Sequence, residues 1–258
     1  MINNLFYYVL SMLILSGVTV SKPSINGRIV GGENATIEEF PYQVSLEIDG
    51  HHHCGGSILN STVILTAAHC THFIKNIETL KVRAGSTKRE QGGVVRDIKR
   101  IFDHELWNDQ TIDYDVSLIV LTESLPFSSS ISAITLPEEN EYLEAEELAV
   151  ITGWGTTDAN TSELPIILQK AYIPIISQKL CEEIHAKSIT VTPRMICAGL
   201  YGVGGKGVCH SDSGGPLVSK NKLHGITSWS VGCAEKLYPS VFCRVTAIRE
   251  WIREKVNL

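Results

Sequence analysis

The chain has 258 residues, 43% of them hydrophobic, and a formal net charge of −6. That is enough apolar material for a sizeable core in one or two domains. The acidic balance, with only short Lys/Arg clusters, argues against nucleic acid or another polyanion as partner. Residues 5–20, LFYYVLSMLILSGVTV, form an apolar run at the N-terminus, short for a membrane span and followed by small residues. It reads as a secretory signal over 1–21, with a signal anchor as the alternative because no Lys or Arg precedes it; no other segment is apolar enough to span a bilayer. After it come short β-branched runs, VILT at 63–66, VSLIVL at 116–121 and LAVITGWG at 148–155, separated by Gly, Asn, Ser and Pro clusters. Such runs predict many short strands joined by turns, hence an all-β protein. The tail VTAIREWIREKV puts Val245, Ile248, Trp251, Ile252 and Val256 on one face and predicts a packing helix.

Seven cysteines, Cys54, Cys70, Cys181, Cys197, Cys209, Cys233 and Cys243, fit an oxidising compartment, and the odd count leaves one over. No CxxC pair supports a zinc site, and no metal or cofactor is expected. Asn34, Asn60 and Asn160 open Asn-x-Ser/Thr sequons and are glycosylation candidates on a secreted surface.

Three short motifs carry chemistry. LTAAHC places His69 beside Cys70, straight after an apolar strand. DYDVSLIVL places Asp115 at the head of a buried run, where an acid needs a partner; Asp113 is a rival two residues earlier. SDSGGP presents Ser213 between an aspartate and two glycines. Acyl transfer to a serine requires an exposed hydroxyl, a base to take its proton and an acid to orient that base, and His69, Ser213 and an aspartate supply those types.

From Arg28 to the C-terminus the chain resembles the chymotrypsin family of trypsin-like (S1) serine proteases. The likeness rests on RIVGG at 28–32, CGGSIL at 54–59, LTAAHC at 65–70, DVSLIVL at 115–121, GWG at 153–155, DSGGPL at 212–217, SW at 228–229 and WI at 251–252. It implies two packed six-stranded antiparallel β-barrels with a C-terminal helix, a protease domain over 29–258 whose halves meet near 131–137, and a site in the cleft between them. It also implies His69 as general base, Asp115 as its orienter, Ser213 as nucleophile, and the N–H groups of Ser211 and Ser213 as the oxyanion hole. Disulfides Cys54–Cys70, Cys181–Cys197 and Cys209–Cys233 are implied, with Cys243 left as a buried free thiol. The chain is then a secreted zymogen, its propeptide 22–28 removed by an activating trypsin-like protease cutting after Arg28. The new amino group of Ile29 pairs with Asp212. Ser45 and His52 match positions that hold this acid in some zymogens. Substrates are proteins or peptides, no membrane or nucleic acid is engaged, and a monomer is expected.

Two departures from the family pattern bear on activity. The pocket residues are Gly207, Ser228, Ser230 and Ser240. Trypsins carry an aspartate where Gly207 stands, and chymotrypsins carry glycine where Ser230 and Ser240 stand. A neutral, narrowed pocket implies cleavage after small or medium uncharged residues, since a buried cation would lack compensation. The second departure is Ser211, where the family has glycine. A residue with a Cβ there either bears strain of ~1–2 kcal/mol or flips its peptide and loses a donor. The alternative function is therefore a catalytically impaired homologue acting by binding or competition.

Overall fold

The computed structural model describes residues 29–158 and 161–258. The signal and propeptide assignments, Arg28 and the Asn160 sequon fall outside the described residues.

Thirteen strands are described. A two-residue β1 (Glu33–Asn34) precedes β2 (Gln43–Ile48), β3 (His51–Asn60), β4 (Val63–Thr66), β5 (Leu80–Ala84), β6 (Val94–Asp103) and β7 (Ser117–Leu121). These last six close into a barrel in the order β2-β3-β4-β7-β6-β5. After a crossing segment, β8 (Leu148–Gly153), β9 (Gln169–Ile176), β10 (Met195–Ala198), β11 (Pro216–Ser219), β12 (Lys222–Trp229) and β13 (Ser240–Arg244) follow. They run β9-β10-β13-β12-β11-β8, and β8 pairs with β9 to close a second six-stranded barrel, with β1 added alongside β9. Every strand pair is antiparallel. Closure removes the exposed edges that short strands would otherwise present.

Strand pattern follows burial. In β5 the side chains of Leu80, Val82 and Ala84 point into the first barrel and Lys81 and Arg83 point out. β4 and β10 are buried throughout, as their uniformly apolar or small sequences require. Helix α1 (Gln178–His185) starts where the Ser177 hydroxyl accepts the Leu180 N–H. The C-terminal helix α2 spans Arg249–Val256 and buries Trp251 and Ile252. Its predicted first turn differs: Val245–Ile248 form a 3-10 turn, which continues β13 directly and buries Val245 and Ile248.

The barrels meet through small residues. A Cβ on Gly55 of β3 would lie 2.9 Å from the Cα of Gly215, so two backbones touch there. Thr152 on β8 donates 2.6 Å to Gln43 on β2. A second bond between the halves is ionic. Asp113, before β7, accepts from both Arg194 Nε (3.0 Å) and Arg194 Nη2, and from the Thr192 hydroxyl.

Candidate active site

His69 sits in a 3-10 turn, Ala68–Cys70, directly after β4. The Cys54–Cys70 disulfide, with Cα atoms 6.2 Å apart, ties this turn to β3. Asp115 is 1% exposed at the head of β7, beside β4. Its carboxylate oxygens accept from the His69 N–H at 3.0 Å, from Nδ1–H of the His69 ring at 2.8 Å and from the Ser228 hydroxyl. Three donors satisfy an acid whose burial would otherwise be prohibitive. Burial alone pushes the His69 imidazole down, but the hydrogen bond and charge of Asp115 outweigh it, and its pKa is raised. The Asp115 bond also sets the tautomer: Nδ1 carries the proton, so Nε2 is the basic nitrogen. Asp113, the rival acid, is bound to Arg194 instead.

Ser213 is half-buried in the turn between Cys209 and β11. Its carbonyl accepts the Gly55 N–H at 2.8 Å, and the next residue, Gly214, donates to Thr227 O. A Cβ on Gly214 (φ +74°) would fall 3.1 Å from Ala67 N and 2.2 Å from Thr66 Oγ1. The serine turn is thus pressed against the two residues that lead into the His69 turn, and only glycine fits at 214.

Ser211 has φ +68°, so it bears the left-handed conformation. The peptide before it is anchored: His210 O accepts the Thr156 N–H at 2.8 Å. The peptide after it is anchored too: Ser211 O lies 3.0 Å from His52 Nε2. Asp212 O, in the peptide that carries the Ser213 N–H, accepts from Gly215 N at 3.0 Å, and the N–H groups of Ser211 and Ser213 donate to nothing among the described residues. Two unspent backbone donors on one tight turn are able to receive a negatively charged oxygen.

Asp212, between them, is 2% exposed. Its two oxygens accept from Gly155 N at 2.8 Å and Cys209 N at 3.0 Å. Burial raises its carboxyl to about 7, against those two hydrogen bonds, and no ion pair compensates it among the described residues. The space around it excludes anything larger, since a Cβ on Gly155 would lie 2.3 Å from its Cγ. Ile29 is fully buried, with φ +27°, a strained value for a β-branched residue.

A family profile described as Trypsin matches residues 29–252. A trypsin of Simulium vittatum is 43% identical over 243 residues, 92% of this chain and 97% of that protein. Trypsin alpha of Drosophila melanogaster is 42% identical over 236 residues, covering 91% of this chain and 90% of its own. A vitellin-degrading protease of Bombyx mori is 37% identical over 247 residues, 96% of this chain and 92% of that one. The chain belongs to the trypsin family of serine proteases. It is a serine endopeptidase of the chymotrypsin-like fold.

The side chains nearest Gly207 are neutral. Gly207 pairs with Val30 in an isolated bridge, and a Cβ placed on it would meet Ala234 Cβ and Ser240 Oγ, each at 3.3 Å. Ser240 is buried at the start of β13. The Ser230 hydroxyl donates to Gly232 O. Ser228, grouped with the pocket on sequence, spends its hydroxyl on Asp115. Cys181–Cys197 and Cys209–Cys233 close the other two disulfides, the latter bracketing this region. Cys243 is free and buried, and burial drives its thiol well up, so it is inert as a nucleophile.

Sequence reading missed Thr156 and Glu90 as supports of the site and gave His52 another role: His52, with Ser45 on its Nδ1, holds the Ser211 carbonyl, whereas Asp212 is bound by Gly155 N and Cys209 N. Thr156 and His52 hold the peptides on either side of Ser211. Glu90, in the loop between β5 and β6, accepts the His52 N–H at 2.9 Å and pairs with Arg89. The motif SDSGGP marks the loop but not its distant clamps. Of the sequons, Asn34 is exposed on β1, and Asn60 folds its Oδ1 back onto Thr62 N.

Proposed function

We propose that this trypsin-family protease is a secreted enzyme, released by cleavage after Arg28, that cuts protein chains after small or medium uncharged residues. The observation carrying the catalytic part is the 2.8 Å bond between His69 and the buried Asp115, beside a turn with two free N–H donors. His69 Nε2 takes the proton of Ser213 Oγ as that oxygen attacks the scissile carbonyl. The carbonyl oxygen becomes an oxyanion and receives the N–H groups of Ser211 and Ser213. His69 then hands its proton to the leaving amine, and water, activated by the same histidine, releases the acyl group from Ser213. Asp115 stays ionised and stabilises the imidazolium.

Specificity rests on the neutral lining of Gly207, Ala234 and Ser240. A lysine or arginine entering there would be buried without a counter-charge. For the same reason the enzyme does not cleave its own Arg28, and a separate protease of basic specificity activates it. Activation itself rests on Asp212, buried without a cation, and on Ile29, buried and strained at the point where a cut frees an ammonium. The binding-only alternative has no support in the site: Ser211 keeps its N–H free and its peptides anchored. The reading is tested by treating the full chain with trypsin, sequencing the new N-terminus and profiling cleavage of a peptide library. Ile29 as the new terminus, with alanine- to leucine-sized residues before the cut, is expected. A preference for Arg or Lys overturns the pocket assignment; no fluorophosphonate labelling of Ser213 after the cut overturns the enzyme.

A further inference from the structure

A cavity of about 340 Å³ opens on the second barrel, where the crossing segment, the end of β9, the start of α1 and β13 meet. It shares no residue with the site described above. Its walls include Leu143, Ile176 and Ile196, with Tyr142, Gln178 and Arg244 as the polar edge. That volume and that balance, mostly apolar with a few placed polar groups, suit a small ligand.

Arg244 gives the cavity its chemistry. Its Nε donates 3.0 Å to Pro193 O, and its Nη2 donates to Gln178 Oε1 at 2.6 Å and Met195 O at 2.8 Å. All three acceptors are neutral. Arg83, Arg194 and Arg253 each reach a carboxylate, and Arg244 reaches none among the described residues, in a chain with 28 acids. Both N–H groups of Nη1 are left without an acceptor among the described residues. The three bonds hold the guanidinium plane still, and the Tyr142 ring, 61% exposed, lies 6.0 Å from it. Burial disfavours the charge and lowers its pKa, a penalty that an anion in the cavity relieves.

We propose that this cavity is a second binding site, which takes a small carboxylate carrying a short apolar chain. The carboxylate sits on Arg244 Nη1, and the chain lies along Leu143, Ile176 and Ile196. A fixed guanidinium matches a planar carboxylate better than a spherical ion, and the apolar walls favour an organic anion over an inorganic one. A free fatty acid and a peptide C-terminus both present that chemistry.

The test is calorimetric titration of the activated protein with octanoate, with N-acetyl-leucine, and with the amide of each. Saturable binding of at least one carboxylate is expected, with its amide weaker by about tenfold or more. The tighter carboxylate identifies the source. Arg244→Gln should bring the carboxylate down to its amide, with peptide hydrolysis unchanged. Leu143→Trp, which fills the cavity and keeps the arginine, should abolish binding of both. Absence of saturable binding by either carboxylate up to about 10 mM overturns the site. So does equal affinity for acid and amide, or binding that survives Leu143→Trp; that variant decides the matter if Arg244→Gln does not fold.

Discussion

His52 Nε2 lies 3.0 Å from the carbonyl oxygen of Ser211. A carbonyl only accepts, so Nε2 carries the proton, and Nδ1 accepts from the Ser45 hydroxyl at 2.7 Å. Burial drives the His52 pKa down to about 4, which keeps the ring neutral and this tautomer in place at physiological pH. The clamp matters here because Ser211, unlike glycine, has to be held at φ +68°.

The clamp and the strain should be coupled. Ser211→Gly removes the strain and should leave kcat within a few-fold, since the donor is already aligned. His52→Ala frees Ser211 O, and kcat should fall by about tenfold or more as the strained Ser211 relaxes away from φ +68° and takes its own N–H off the oxyanion. In the Ser211→Gly background the same change should matter less, because glycine holds the conformation unaided. Steady-state kinetics of the four proteins on one peptide ester measure this. Equal losses in both backgrounds would show that His52 does not act through Ser211.

The pH profile should carry the mark of Asp115. The proposed mechanism needs neutral His69, whose pKa is raised above the ordinary 6.5. The rising limb of kcat/KM should therefore lie above pH 6.5. Asp115→Asn removes the charge that holds the imidazolium, so the limb should move down in pH while the plateau drops by about 10⁴. A limb that stays put in Asp115→Asn separates the titrating group from this pair.

A charge placed at Gly207, the floor of the proposed pocket, should redirect cleavage. Gly207→Asp sets a carboxylate beside Ser240, with neighbours at 3.3 Å from its Cβ that have to give by a few tenths of an ångström. Cleavage after Arg relative to Leu should rise by about 10²-fold, the value of a buried charge regaining its partner. Ser240→Gly in addition should raise it further by making room. Ratios of kcat/KM on matched peptides report the effect, and an unchanged ratio would place the pocket elsewhere.

The barrels and the serine turn were legible because their signals are local. VILT and VSLIVL read as strands on their own, and LTAAHC and SDSGGP each carry a role within six residues. What escaped joins residues far apart in the chain. Ser211 and His52 are separated by 159 positions, and Arg194 and Asp113 by 81. No spacing rule reaches across a barrel closure. Asp113 and Asp115 differ by two positions and one pleat, and only the partners, Arg194 for one and His69 for the other, tell them apart. The start of the C-terminal helix was misjudged for a related reason: apolar residues at helical spacing fit a 3-10 turn over Val245–Ile248 nearly as well.

Activation should be visible as a change in pH-dependent stability. In the uncut chain Asp212 is raised to about 7 from an unfolded value near 3.8. The folded state then holds a proton that the unfolded state has released, so stability falls as pH rises from about 4 to about 7. Cutting after Arg28 supplies the Ile29 ammonium, which favours the carboxylate and removes that fall. Cut and uncut proteins should therefore melt at similar temperatures near pH 4 and diverge toward pH 7, the cut form being the more stable. Asp212→Asn should flatten the uncut profile and abolish activity after the cut. Arg28→Gln serves as the uncut control. A difference in Tm that stays constant between pH 4 and 8 would mean that the new terminus stabilises the fold without meeting Asp212.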